Sequence, residues 1–355
     1  MPEVVCAGCG TVCDDVLLSV EPLRVEPGCP VAERWFAARA AADGPDAALG
    51  GEPASLDAAV ERAAELLRGS RRPLVTGFGG ATVEAARAAI VLADRLGAAV
   101  DSGGGSGAVA LRGASTATLG EIRDRARVVV VWREDPEVTH PRLLERLRLP
   151  RAGRTLVVVD DRDTATTARA DLHVRSDGGV EALTRLHARA QGLDDPDALL
   201  DLLHDTPHAA FLHRLTGRAE LALHELVRTL NPTRHVVTLR LHRSAGTLGA
   251  DDALAWQTGY AGAVDLGSGH PEPSTAGDYD VVLSVEGDAV PGGVPVIALS
   301  SAPAAADVVI RTAAPGLGVS GTVHRMDGVP LSVGAALGSD RPGADRVLAR
   351  LLEAL

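Results

Sequence analysis

The sequence predicts an α/β protein whose parallel sheets are divided among more than one lobe. Three observations carry this reading. Short β-branched apolar runs recur along the chain, helical segments separate several of them, and a strand, a glycine turn and a helix follow one another over residues 74–96. With 355 residues, 46% of them apolar and 23% charged, the composition is globular and the length suits two or three domains.

Taken in order, a cysteine-bearing opening gives way to residues 37–54, rich in Ala, Gly, Asp and Pro, which read as a connector. Ser55 is placed to cap a helix running through Arg68, with Leu56, Val60, Leu66 and Leu67 as its apolar positions and Gly69 as its stop. Leu74-Val75-Thr76 is a short strand, Gly77-Phe78-Gly79-Gly80 a turn, and residues 82–96 a helix. The turn lacks the third glycine of a dinucleotide fingerprint, and a chain without lysine has no Walker lysine, so a tight βα turn is expected there. Further strands are expected at Val128–Trp132, Leu156–Val159, Val236–Leu239, Val281–Val285, Val296–Leu299 and Val308–Ile310. Residues 181–230 read as long and helical, with Leu199, Leu200, Leu202 and Leu203 in an amphipathic stretch. Gly103-Gly104-Gly105-Ser106-Gly107 reads as a flexible loop, out of register with a nucleophilic serine elbow.

Charge and composition remove several function classes. The net charge is −12, and all 35 basic residues are Arg, the bias of a GC-rich genome. An acidic chain lacks the basic face that phosphate neutralisation needs, and 2% aromatics leave no base-stacking platform, so no nucleic-acid partner is expected. No apolar run approaches the ~20 residues of a bilayer span. The opening MPEVVCAGCG has neither a basic n-region nor an apolar h-region, so a cytoplasmic chain without a signal peptide is expected.

All four cysteines fall within the first 29 residues, as Cys6, Cys9, Cys13 and Cys29, in the spacing C-x2-C-x3-C-x15-C. The links between the first three are short and contain Gly8 and Gly10, so three sulfurs can converge while Cys29-Pro30 returns from a second segment. Four thiolates in a reducing compartment suit a [4Fe–4S] cluster or a tetrahedral zinc and disfavour disulfides. The cluster is preferred, because zinc sites commonly pair two C-x2-C knuckles and only one is present. Among the 11 histidines no H-E-x-x-H or H-x-x-E-H pair occurs. His204, His208 and His213 read as a solvated face, whereas His140-Pro141-Arg142 and His324-Arg325-Met326-Asp327 sit just beyond strands, where α/β sites collect.

These residues carry a resemblance. Cys6-x2-Cys9-x3-Cys13-Asp14-Asp15 with Cys29, then Thr118-Leu119-Gly120-Glu121-Ile122, Pro136 and His140-Pro141-Arg142 follow one another in order. Trp256-Gln257-Thr258-Gly259-Tyr260, Val264-Asp265, Gly269-His270-Pro271, Asp307–Ile310, Gly321-Thr322 and Arg325-Met326-Asp327-Gly328-Val329-Pro330 complete the series. Together they resemble the B subunit of formylmethanofuran dehydrogenase, a member of the molybdopterin oxidoreductases. The resemblance implies a molybdopterin-oxidoreductase-like α/β fold without the C-terminal barrel domain. It implies a small N-terminal Cys-bearing lobe over 1–50, a discontinuous α/β lobe over 51–117 and 251–355, and an inserted Rossmann-like lobe over 118–250. The pterin pocket of the family would fall at Trp256, Gln257, Thr258, Gly259, His324, Arg325 and Asp327, and the Cys quartet would be the metal ligands.

The departures from the family pattern decide the expected function. Redox-active members place a cysteine or selenocysteine ligand for molybdenum or tungsten before the T-L-G-E-I motif. Here residues 103–115, GGGSGAVALRGAS, contain no Cys and look shortened. Asp101, Ser106 and Ser115 are the formal substitutes. The pattern is similar to the B subunit of the bacterial formyltransferase/hydrolase complex of tetrahydromethanopterin-linked formaldehyde-to-formate oxidation. It implies A, C and D subunits as partners, a furan-type formyl carrier held by the complex, and a non-redox assembly role beside the formyl-hydrolysing A subunit. Catalytic residues, molybdopterin and Mo/W are expected to be absent from this chain. The alternative is the B subunit of a redox-active molybdenum or tungsten formylmethanofuran dehydrogenase, with a [4Fe–4S] cluster and an unusual metal ligand.

Overall fold

The structure is a computed structural model and describes residues 1–40, 44–105, 109, 112–195, 197–274, 277–287 and 293–355. The chain divides into two compact units, one of Met1–Gly107, Arg243–Arg325 and Pro330–Leu355, the other of Ala108–His242 and Met326–Val329. Both are α/β. Among the described residues no helix is long and apolar enough to cross a membrane.

The first unit is built on a nine-stranded sheet in the order Glu272–Pro273, Ala263–Asp265, Ala99–Asp101, Pro73–Thr76, Val281–Val285, Val296–Ser300, Val308–Arg311, Ala47–Leu49, Glu52–Ala54. Its five middle strands are parallel and the two at each edge are antiparallel. Buried runs such as Val281–Val285 suit a sheet covered on both faces. Helices Leu56–Gly69, Val83–Leu96 and Ala344–Ala354 pack Ala63, Leu67, Ala89, Leu92, Val347 and Leu351 into the main core of this unit. The abundant alanines let these helices lie close to the sheet. Ser55 and Thr82 each accept the N–H three residues on, capping two of the helices as their sequence positions predict. Residues 37–54 are not a plain connector. They hold the end of helix Pro30–Ala40 and two short strands that extend the sheet, because Ala47–Ile310 pairing overrides the weak β-propensity of AAL and EPA.

The glycine turn after Pro73–Thr76 is tight, as expected. Gly77 stands at φ 80°, where a Cβ would lie 2.4 Å from the Ser284 hydroxyl, and Phe78–Gly80 form a 3₁₀ turn leading to the Thr82 cap. The segment opening with Ser102 is held rather than loose as far as it is described. The Ser102 hydroxyl and the Gly262 N–H both donate to Asp251 Oδ1, at 2.6 Å each. Gly104 is required beside this carboxylate, since a Cβ there would lie 2.3 Å from Asp251 Cγ. Ser106 lies outside the described residues.

The second unit is a five-stranded, wholly parallel sheet in the order Leu172–Val174, Thr155–Val159, Val128–Trp132, His208–His213, His235–Arg240. Leu119, Ile122, Leu143 and Leu147 cover one face; Leu183, Leu200, Leu203, Leu223 and Leu226 cover the other. Residues 181–230 are not one helical run. Helices Val180–Ala190, Ala198–His204 and Gly217–Leu230 flank the strand His208–His213, which lies between two others in the sheet. The trio is therefore not a solvated face: His204 is exposed, but His208 is half-buried and His213 is 1% exposed.

The T-L-G-E-I motif opens helix Leu119–Arg125, where Thr118 Oγ1 accepts the Glu121 N–H and Asp327 Oδ2 accepts the Leu119 N–H at 2.7 Å. Two orphan donors of the helix start are thereby satisfied.

Candidate functional site

The four cysteines share one neighbourhood. Cys6 and Cys13 are register partners in the antiparallel pair Glu3–Cys6 and Cys13–Val20, interrupted by a bulge between Val4 and Cys6. The loop between them carries Cys9, whose carbonyl accepts the Val12 N–H at 3.1 Å. Val12 is fully buried at φ 42°, a left-handed conformation that costs a β-branched residue on the order of 1–3 kcal/mol. The loop is thus bent against local preference where it returns from Cys9 to Cys13. Cys29 stands at the start of helix Pro30–Ala40, where its sulfur accepts the Ala32 N–H at 3.4 Å and its carbonyl accepts the Glu33 N–H.

Cys6, Cys9 and Cys13 are buried and Cys29 is half-buried. Burial first, then repulsion from Cys13, Cys9 and Cys29, pushes the Cys6 thiol up to about 12 against the opposing Gly8 N–H bond. Sulfurs gathered in a dry site resist ionising by themselves, and a thiophilic cation reverses that balance because it binds thiolates. An all-sulfur donor set of this kind fits an iron–sulfur cluster or a zinc ion.

The candidate pocket residues sit at helix ends and a strand end. Trp256–Gly259 close helix Gly246–Thr258, with Gly259 at φ 83° as its left-handed cap. Trp256 is 70% exposed, with the Arg87 guanidinium 4.7 Å from its ring centroid, and Gln257 is exposed. Thr258 Oγ1 donates to the Leu254 carbonyl. His324 Nδ1 pairs with Asp252 Oδ2 at 2.6 Å, and the half-buried Arg325 follows it. Asp327 belongs to the second unit, where it is a helix cap. The formal metal-ligand substitutes are also engaged: Asp101 Oδ1 accepts the Gly103 N–H, and Ser115 Oγ accepts from Asn231.

Sequence reasoning missed two buried acids at the C-terminal ends of parallel strands. Glu286, fully buried beyond Val281–Val285 at φ 62°, accepts Ser301 N–H, Ser301 Oγ–H and Thr312 Oγ1–H. Burial raises its carboxyl above the usual range despite those donors. Asp160, 0% exposed beyond Thr155–Val159, shows the opposite balance. Burial works to raise it, but the Arg162 fork (Nε–Oδ1 and Nη2–Oδ2, each 3.0 Å) and the Arg162 N–H hold it at about 2. A carboxyl held lower in the folded chain stabilises it above the unfolded value near 4, and that stability is lost as pH falls towards 2. Asp160→Asn is expected to cost about 2 kcal/mol at pH 7 and to flatten the decline between pH 4 and pH 2, read by urea unfolding across pH. His140, fully buried, meets the His242 carbonyl through Nε2 at 2.8 Å.

No family model matches the chain. It is 25% identical to the B subunit of the tungsten-containing formylmethanofuran dehydrogenase 2 of Methanocaldococcus jannaschii, over 93% of this chain and 92% of that protein. It is 30% identical to the B subunit of the formyltransferase/hydrolase complex Fhc of Methylorubrum extorquens, over 62% of this chain and 66% of that protein. Among solved structures, it matches a chain of the formyltransferase/hydrolase complex FhcABCD from Methylorubrum extorquens, an X-ray structure in complex with methylofuran. That match has a TM-score of 0.70 and 28% identity, and covers 86% of this chain and 98% of the other. The α/β architecture of parallel sheets is therefore the one found in that complex.

Proposed function

The chain belongs to the family of the formylmethanofuran dehydrogenase B subunit, and from that premise we propose that it is the non-redox B subunit of a formyltransferase/hydrolase complex. The observation that carries the non-redox assignment is the confinement of every cysteine to the first 29 residues. Beyond them the chain offers no thiolate to a molybdenum or tungsten ion.

The chemistry of the complex agrees. Hydrolysing an N-formyl group consumes water and yields amine and formate, with no change in the oxidation level of the carbon and no electron acceptor. In this reading the chain assembles in the cytoplasm with A, C and D subunits around a furan-type formyl carrier, within tetrahydromethanopterin-linked one-carbon oxidation. It contributes architecture next to the A subunit that performs the hydrolysis.

Cys6, Cys9, Cys13 and Cys29 would hold a [4Fe–4S] cluster, or zinc in its place, whose metal–thiolate bonds supply folding energy to the N-terminal segment. The chain's own part is to gather four sulfurs from a hairpin, a strained loop and a helix start. Co-expression with A, C and D subunits and purification through a tag on this chain tests the assembly role. Stoichiometric recovery of all three is expected; an A subunit that assembles and hydrolyses at full rate without this chain would overturn it.

A further inference from the structure

We propose that His213, Glu220 and His224 form a second metal site, for a divalent transition-metal ion of the zinc class, distinct from the cysteine quartet. His213 ends the strand His208–His213, and the following helix Gly217–Leu230 brings Glu220 and His224 to it. Four residues apart, those two side chains leave one face of the helix. One ligand atom from each of the three lies within 4.8 Å of the other two, a convergence found at this group among the described residues. The three are 1%, 2% and 6% exposed, and the two imidazoles meet edge to face with centroids 6.0 Å apart.

The donor set is two imidazole nitrogens and one carboxylate oxygen, which suits zinc, cobalt or nickel over magnesium or calcium. The position is the C-terminal end of a parallel strand inside the sheet, where α/β folds place ligands. Burial keeps His213 neutral, with the charges of His224, Arg240 and His242 acting the same way, so no proton competes at neutral pH. Arg240, on the neighbouring strand, donates through Nη1 to both Glu220 oxygens at 2.8 and 3.0 Å. It orients the carboxylate as an outer partner does.

One contact must be exchanged. The Leu215 N–H donates to His213 Nδ1 at 3.2 Å, which places the ring proton on Nε2 in the metal-free chain. Ligation through Nδ1 replaces that hydrogen bond, and ligation through Nε2 moves the ring proton to Nδ1 and breaks it. The Leu215 amide is therefore a built-in reporter. On the helix side, His224 also lines a recess of about 310 Å³ with Arg112, Ser115, Arg228 and Asn231.

The test uses the full chain, stripped with chelator and then titrated with Co(II). The quartet and the new site are separated by their spectra, since sulfur ligation adds thiolate charge-transfer bands that nitrogen and oxygen ligands do not. The wild type is expected to bind one equivalent showing visible ligand-field bands without thiolate character, and to shift the Leu215 amide resonance. His224→Ala is expected to lose this equivalent, with affinity weakened by about 100-fold or more, while the sulfur-bound equivalent stays. Co(II) binding by the wild type through sulfur alone would overturn the proposal, and that measurement holds even where the variant misfolds. Unchanged stoichiometry in a folded His224→Ala chain would overturn it equally.

Discussion

Replacing Arg154 by alanine is expected to lower the unfolding free energy of the second unit by about 3 kcal/mol. The guanidinium, only 8% exposed, donates to three main-chain carbonyls: Nε to Ala126 at 2.7 Å, Nη2 to Ile122 at 3.0 Å and Nη1 to Leu147. Ala126 and Leu147 cap the C-termini of helices Leu119–Arg125 and Leu143–Arg146, where carbonyls have no intrahelical partner. The Ile122 carbonyl, which also accepts the Ala126 N–H, takes the guanidinium on its second lone pair. Alanine removes all three bonds in a dry site, each at about 1 kcal/mol or more, and both helices line a core face of the sheet. For a unit of this size the loss corresponds to a fall in melting temperature of roughly 10 °C. Lysine restores charge but not the fork, so Arg154→Lys is expected to recover less than half of the loss, as measured by thermal and urea unfolding.

Cys9→Ala is expected to have the second large effect, and to separate structure from chemistry. Cys9 is 8% exposed in the loop that Val12 strains, and its sulfur is one of those whose repulsion bears on Cys6. Losing one ligand of the proposed four-thiolate centre would remove most of the metal-linked folding energy of the segment. Metal content, and with it soluble yield and recovery of the assembled complex, should fall several-fold. Formyl hydrolysis per assembled complex should stay near that of the wild type, because the proposed role of this chain is architectural. A fall in hydrolysis per assembled complex with metal content unchanged would place the cysteines in the reaction instead.

Much of the fold was legible in the sequence where local and tertiary preferences agree. Val128–Trp132 and Val281–Val285 are nearly unbroken branched runs, which a buried parallel strand suits best. The strand His208–His213 was hidden because Ala209 and Ala210 weaken its β signal and leucine-rich helices flank it. Its place is set by pairing with Val128–Trp132 and His235–Arg240, which are distant in sequence. That miss also concealed the His213 cluster, since three ligands spread over a strand and a helix are visible only once the strand is recognised. The spacing E-x3-H on one helix face, following a strand-ending His, was the available signal.

The four cysteines are close in sequence, and the structure places them in one hairpin and a helix start. Trp256–Gly259 end a helix and Asp327 caps one, positions whose short polar motifs look the same in sequence as those of residues that hold ligands. Their helix-terminus roles emerge only from the backbone groups they meet.

The most direct test of the central claim is metal and pterin analysis of the assembled complex, with a formate-dependent viologen assay on the same sample. Formate release from a formyl-carrier substrate is expected, with no stoichiometric molybdenum, tungsten or pterin in this chain and no dye reduction. One molybdenum or tungsten per chain together with formate-dependent dye reduction would contradict it.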